Sequence, residues 1–432
     1  MPEQMLKHIR IAGWKSIRDA SLDLGPVTVL IGANGSGKSN LVAFFRMLGR
    51  LAADEFQVHV AQCGGANALL HFGAKQTPEI ETELVFQTPS GEGRYQLRFA
   101  AAADDRLVVL EERIASRRHP ESPWLDVDGR RGGHKEAALA RYATPGLGLG
   151  ETAAAIRQVL DRCRVFHFHD TSDTSAMRRG CRVDENRHLY PDGSNVAAML
   201  YAYRETRPVA YRRIVSTVRQ VTPFLGDFVL EPDRLNPNSI SLKWRQPGSD
   251  YEFAPHQLSD GSLRMIALAT LLLQPEEDLP PLVVIDEPEL GLHPAAINLL
   301  ASLVRKASHH CQIVLATQSP ALVDCFDPAD VVVATGTEGV TTFERLDPQA
   351  LKEWLEDYSL SELWEKNVIG GGDPIDDSAV LLRGRPDRAG LCEAGAERPL
   401  CPLRGHGRGR FESRPGGSTG WLIAAADGIT RR

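Results

Sequence analysis

The sequence predicts an α/β fold, a mixed core sheet flanked by helices, and three observations carry that prediction. A β-branched apolar run, Val27-Thr28-Val29-Leu30-Ile31, leads through a glycine-rich turn into an apolar helix from Asn40 to Leu48. A second apolar run, Leu282-Val283-Val284-Ile285, ends in the paired acids Asp286 and Glu287. A third stretch alternates from Glu79 to Phe86, turns at Pro89-Ser90-Gly91 and alternates again from Tyr95 to Phe99, the pattern of an antiparallel hairpin.

The glycine-rich turn, Gly32-Ala33-Asn34-Gly35-Ser36-Gly37-Lys38-Ser39, satisfies the phosphate-loop pattern G-x-x-x-x-G-K-[ST] at every fixed position. It also sits between a strand and a helix, as that loop must. Its glycines let successive N–H groups point inward at a phosphate, assisted by the positive end of the helix that Asn40 continues. Lys38 is placed to reach the β- and γ-phosphates, and the Ser39 hydroxyl to ligate Mg²⁺. The expected ligand at this point is a nucleotide with Mg²⁺, and the loop alone says no more than that.

In the second half of the chain, the strand that ends at Asp286 suits a Walker B element. A buried strand delivers a carboxylate to the metal, and Asp286 is expected to hold Mg²⁺ through water. Glu287 points to the other face of the pleat and is the candidate general base for an attacking water. Just before this strand, Gln257-Leu258-Ser259-Asp260-Gly261-Ser262-Leu263-Arg264 opens an apolar helix running from Met265 to Leu273. Ser259 is a good N-cap and Gly261 permits close backbone approach, so this is a second helix start suited to an anion. After it come the turn Glu289-Leu290-Gly291-Leu292-His293-Pro294, a further buried strand Gln312-Ile313-Val314-Leu315-Ala316-Thr317, and Gln318-Ser319-Pro320.

This order of motifs resembles the ABC-type ATPase heads of the SMC/RecF/OLD-like group, and most of all the bacterial AAA_21-type "predicted ATPase" proteins. The opening Leu6–Ile17, with its Trp14-Lys15-Ser16 element, and the closing Trp354–Trp364 fit the same group, so the likeness covers about residues 5 to 372. The resemblance implies a P-loop NTPase of ABC-ATPase type, with an antiparallel β-lobe, a helical lobe, and two ATP molecules sandwiched between two copies of the chain. Ser259 and Gly261 of one copy would then cap the γ-phosphate held by the other. The chain departs from the group's pattern at Asp260 and Ser262 within the signature. It departs again at Gln318, where the switch position usually carries His; Gln318 can hydrogen-bond a phosphate or a water but cannot become cationic. Gln62 is the first candidate for a Q-loop.

Composition agrees with this reading. Hydrophobic content of 42% and charged content of 24% are ordinary for a globular protein, and a net charge of −7 argues against an obligate nucleic-acid coat without excluding a local basic face. Seven cysteines without regular spacing read as reduced thiols rather than a disulfide framework or zinc site. There is no basic-then-apolar leader and no apolar span near eighteen residues, so a cytoplasmic protein with no membrane segment is expected.

The ATPase head is assigned to residues 1–372, with the β-lobe at about 78–115, the helical lobe at about 150–275 and the Walker B and switch core at 280–345. Residues 116–137, rich in Arg and Gly, read as loop, whereas 151–163 and 194–219 read as helical. No sustained heptads occur, so no long coiled-coil arm is expected. His167-Phe168-His169-Asp170 is read as a strand end leading into a polar turn rather than a metal site. Arg204, Arg207, Arg212, Arg213 and Arg219, with Tyr203 and Tyr211, form either a phosphate-contacting face or, the preferred reading, a solvated helix face. Residues 373–432 hold ten Arg and no Lys with much Gly and Pro, and read as a disordered extension.

The function expected is ATP hydrolysis with ATP-driven homodimer closure, linked through DNA to genome maintenance or phage defence. The alternatives are an ATP-gated regulator of a separately encoded effector protein and, more distantly, a transporter ATPase.

Overall fold

The computed structural model describes residues 4–143 and 150–371; the extension expected at 373–432 lies outside the described residues. Two six-stranded sheets organise them. The core sheet runs Val340–Arg345, Val331–Thr337, Val27–Ile31, Gln312–Ala316, Leu282–Asp286, Arg164–Phe166, and all neighbours pair in parallel except the first two. It is a mixed sheet, as the sequence predicts.

The period-two geometry of a strand explains why these runs are apolar at nearly every position. Val27, Val29, Ile31, Val283, Ile285, Ile313 and Leu315 enter one hydrophobic cluster, together with the helices Val196–Thr206, Pro208–Val221, Asp260–Leu272 and Pro294–Ala307. The alternate residues Leu30, Leu282, Val284, Val314 and Ala316 enter a second cluster, with the helices Lys38–Ala52 and Gly150–Asp161 and the other sheet. Both faces of the core sheet are therefore covered.

The second sheet is antiparallel, in the order Ile17–Asp23, Met5–Trp14, Glu79–Thr88, Gly91–Ala102, Arg106–Arg117, Leu125–His134. Its last strand corrects the loop reading of residues 116–137. Gly129, Gly132 and Gly133 and two register shifts against Arg106–Arg117 erase the alternation by which a strand is recognised, and pairing with that neighbour supplies the structure instead. The helical reading of 194–219 resolves into two helices split at Arg207-Pro208. The longest helix among the described residues is Lys38–Ala52, at 15 residues. Among the described residues no helix is long and apolar enough to cross a membrane.

Candidate functional site

Parallel strands end together, so the segments beyond their carboxyl ends are gathered at one rim of the sheet. The register decides which residues meet there. Leu30 pairs with Ala316, and Ala316 with Asp286, so the phosphate loop, Thr317-Gln318 and Glu287 emerge side by side. Ile285 pairs with Phe166, which brings His167 level with Asp286.

The phosphate loop has the strained backbone its glycines allow. Gly37 has φ 102°, and a Cβ there would lie 2.0 Å from Thr341 Oγ1. Lys38 opens the helix and is buried, at 6% exposure. Its Nζ donates to Gly32 O at 2.5 Å and Ala33 O at 2.9 Å. Burial lowers its pKa, while the charges of Glu287, Asp286 and Glu289 act the other way. Within the same loop the buried Ser36 hydroxyl has no hydrogen-bond partner. Ala33 N–H donates to Gly371 O at 2.7 Å. Asn40 sends its side chain to Ser16 Oγ at 2.6 Å and receives Trp14 Nε1 on its carbonyl at 2.8 Å, which ties the Trp14-Lys15-Ser16 element to the loop.

Across the rim, Glu287 adopts a left-handed conformation at φ 44°, uncommon for a residue other than glycine. Its Oε1 accepts from Gln318 Nε2 at 2.6 Å, and its Oε2 lies 3.5 Å from His169 Nε2. His167 Nδ1 is 3.5 Å from Asp286 Oδ2, and the imidazoles of His167 and His169 pack tilted at 31°, with centroids 3.6 Å apart. Burial, with the neighbouring His167, lowers the pKa of His169, which favours the neutral ring. Glu289 accepts from Thr317 Oγ1 at 2.5 Å and from Gln318 N–H at 3.3 Å, while its Oε2 is buried without a partner.

The signature segment is built as a helix start. Ser259 caps Asp260–Leu272 by accepting from Ser262 N–H at 3.2 Å. Asp260 is held by Arg178 at 2.7 Å, and the Ser262 hydroxyl lies 2.8 Å from Ser259 Oγ. Gly261 is required for packing within the chain, since a Cβ there would approach Gly291 O to 2.5 Å.

Several residues of this site were missed or misplaced by sequence reasoning. The histidine pair does follow a strand end, but it faces Asp286 and Glu287, so a purely structural reading is too small. Gln62 lies exposed at the end of a short helix packed on the antiparallel sheet, outside this group; the strand next to Walker B leads instead into His167. Arg264 is buried and bonds the carbonyls of Phe168 at 2.8 Å and His169 at 3.1 Å as well as that of Leu290, linking the signature helix to the histidine segment. Alternating histidines around Phe168 were the available signal for the pair; Arg264 had none. In the arginine cluster, Arg207, Arg212, Arg213 and Arg219 are exposed, Arg207 pairs with Glu277, and Arg204 and Arg213 bond backbone carbonyls, in keeping with a solvated helix face, whereas Tyr203 and Tyr211 are buried in the core and do not belong to that face.

Comparison with known proteins agrees with this architecture. The family model AAA_21, described as "AAA domain, putative AbiEii toxin, Type IV TA system", matches residues 27–324. A protein named OLD nuclease, from Thermus scotoductus, is 25% identical over 346 residues, which are 74% of this chain; the match spans 60% of that relative's length. Among solved structures, the fold is similar to an SMC head bound to the C-terminal winged-helix domain of ScpA, with TM-score 0.52 and 16% identity over 80% of this chain and 99% of that one. An SMC head with extended coiled coil bound to the C-terminal domain of ScpA from Pyrococcus furiosus gives TM-score 0.50 and 15% identity, covering 82% of this chain and 99% of that one. The shared fold is that of an ABC-type, SMC-like ATPase head.

Proposed function

The chain belongs to the AAA_21 family, and we propose that it is a Mg²⁺-dependent ATP hydrolase whose cycle closes two copies of the chain around nucleotide. The observation that carries this reading is Lys38, a buried ammonium bonded to two backbone carbonyls and facing an acidic rim. A buried cation without a bonded carboxylate is suited to an incoming anion. The partnerless Ser36 hydroxyl in the same loop supports a phosphate in that place.

In this reading Gly32 to Asn40 cradle the phosphates and Lys38 binds the terminal ones. Ser39 and Asp286 would hold Mg²⁺, which supplies charge neutralisation on the phosphate oxygens. Glu287 takes the proton of the attacking water, and Gln318 fixes the orientation of that carboxylate. Ser259 and Gly261 of a second copy cap the γ-phosphate.

The likeness to a protein named a nuclease supports a role linked to nucleic acid, in genome maintenance or phage defence. Calorimetry with ATP and Mg²⁺ tests the core of the proposal. Lys38→Ala should abolish the binding heat, and equal affinity in parent and variant would overturn the assignment. DNA-stimulated phosphate release supports the DNA-linked role. Unchanged turnover together with a co-purifying protein selects an ATP-gated regulator of a separately encoded effector.

A further inference from the structure

We propose that residues 359–371 act as a strap that positions the phosphate loop and joins it to the segment carrying Gln318. The inference rests on the nucleotide site proposed above and assigns it two positioning residues, Gly371 at the loop end of the strap and Asp324 at the other.

At the loop end, Gly371 is buried and accepts on its carbonyl the N–H of Ala33 at 2.7 Å. It crosses where a side chain does not fit. Its φ is +70°, and a Cβ there would lie 2.5 Å from Val333 Cγ1 and 3.5 Å from Gly32 Cα. The strap therefore enters the seam between the strand Val331–Thr337 and the start of the phosphate loop.

The other end is anchored behind the switch. Leu360–Glu365 is a short helix started by a capping box between Ser359 and Glu362, with Leu360 and Leu363 buried. The Ser361 N–H and hydroxyl donate to the two carboxylate oxygens of Asp324, at 2.8 Å and 2.6 Å. Asp324 closes the short helix Pro320–Val323, which Ser319 caps directly after Gln318. Between the two ends Val368 N–H donates to Leu363 O at 2.9 Å, and Ile369 packs against the hydrophobic core. A bonded path thus runs from Ala33 to the helix that follows Gln318, and Gln318 in turn holds Glu287.

The energetics give the strap its role. Lys38 Nζ bonds the carbonyls of Gly32 and Ala33. A bound phosphate draws that ammonium away, so these carbonyls lose it just when the loop must keep its shape. The Ala33 N–H is outside this competition, because its acceptor lies on the strap and not on the ligand. A glycine-rich loop is costly to order, and a bond that orders it beforehand raises affinity. Ala33 N–H is spent on the strap, and the phosphates are left to the N–H groups further along the loop.

The test uses the full chain with Mg²⁺ and a non-hydrolysable ATP analogue, read by calorimetry. Gly371→Ala forces the strap away from Val333 and should weaken binding about fivefold, the scale of one hydrogen bond. Asp324→Ala lies outside the loop, frees the far end and should weaken binding by a similar factor. Asp324→Asn keeps an acceptor for Ser361 N–H and should stay close to the parent. The double variant Gly371→Ala/Asp324→Ala should lose no more than either single one, because a strap cut at one end carries nothing at the other, whereas independent structural effects add. Hydrogen exchange of the Ala33 amide is followed by NMR without nucleotide, in chain labelled with ¹³C-carbonyl glycine and ¹⁵N alanine. It should quicken in Asp324→Ala and keep the parental rate in Asp324→Asn. Additive losses of affinity would overturn the strap while leaving the nucleotide site standing. Parental affinity together with parental Ala33 exchange in Asp324→Ala would overturn it equally. No binding heat in the parent would overturn the nucleotide site itself and the inference with it.

Discussion

Gln318 donates a 2.6 Å hydrogen bond from Nε2 to Glu287 Oε1, joining residues just beyond the ends of two neighbouring parallel strands. The carboxylate it holds belongs to a residue in the left-handed region, at φ 44°. Strain of this kind persists where surrounding structure over-determines it, and it is concentrated at functional sites. His169 stands on the other side of the same carboxylate, 3.5 Å from Oε2. Glu287 is thus held between an amide and an imidazole at the rim where Lys38 is buried.

This clamp leads to three kinetic expectations. Glu287→Gln should retain ATP but slow phosphate release by about 10²-fold or more, the range for loss of a general base. Gln318→Ala should lower turnover with little change in affinity, because it frees the base without touching the phosphate loop. Gln318→His should be tolerated, since an imidazole can also donate to Oε1. Parental turnover in Glu287→Gln would place the base elsewhere, and a silent Gln318→Ala would reduce the bond to packing.

Much of this site was legible because its motifs are local. The phosphate loop and the Walker B acids each lie within a few residues of a strand end, and buried parallel strands advertise themselves as unbroken apolar runs. Ser259 was readable as an N-cap for the same reason, since the cap and the Ser262 N–H it serves are three positions apart. The neighbourhood of His167 was not legible. It depends on the register of Phe166 against Ile285, which long-range packing sets and no nearby residue encodes. Arg264 was invisible for a related reason: its three carbonyl partners lie in segments distant in sequence. The strand Leu125–His134 was hidden by its glycines, which suit an edge position but remove the alternation that marks a strand.

Glu289 gives a prediction about pH and stability. Burial raises its pKa above the ordinary 4.5, with a contribution from the nearby Glu287 carboxylate. The folded state therefore holds the proton more tightly than the unfolded state, and the cost of the buried charge is fully present above the folded pKa. That cost is lost as pH falls through the folded pKa and is gone below the unfolded one, where both states are protonated. Glu289→Gln should accordingly raise the melting temperature relative to the parent at pH 8, with the gain shrinking towards pH 5. Thermal melts across that range decide it, and a gain that grows on acidification would contradict the assignment.

Arg264 should be a strong stability determinant. Its guanidinium is buried and serves three carbonyls on two segments, those of Phe168, His169 and Leu290. Arg264→Ala strands these acceptors and should cost about 2–5 kcal/mol by denaturant unfolding. Arg264→Lys keeps the charge but loses the planar fork, so it should recover only part of that loss. A change below about 0.5 kcal/mol in Arg264→Ala would show that the carbonyls find other partners.

The dimer-closure proposal carries the most decisive prediction. Ser259 is exposed at the start of Asp260–Leu272, while Gly261 beside it is packed against Gly291 of its own chain. A substitution at Ser259 should therefore cost the fold no more than its cap, about 1 kcal/mol, and act mainly on whatever approaches that helix start. In an ATP sandwich the approaching group is the γ-phosphate held by Lys38 of a second copy. Light scattering should then show monomer converting to dimer with ATP and Mg²⁺, most completely in Glu287→Gln, where bound nucleotide is not consumed. Ser259→Arg should remain monomeric and inactive yet bind ATP with parental affinity. Lys38→Ala should fail for the complementary reason, having a sound Ser259 but no nucleotide. Mixing Ser259→Arg with Lys38→Ala lets the intact phosphate loop of one face the intact Ser259 of the other, so partial activity should return at one composite site per heterodimer. A monomer with full ATPase activity throughout would refute the sandwich, and the active site would then be complete within one chain.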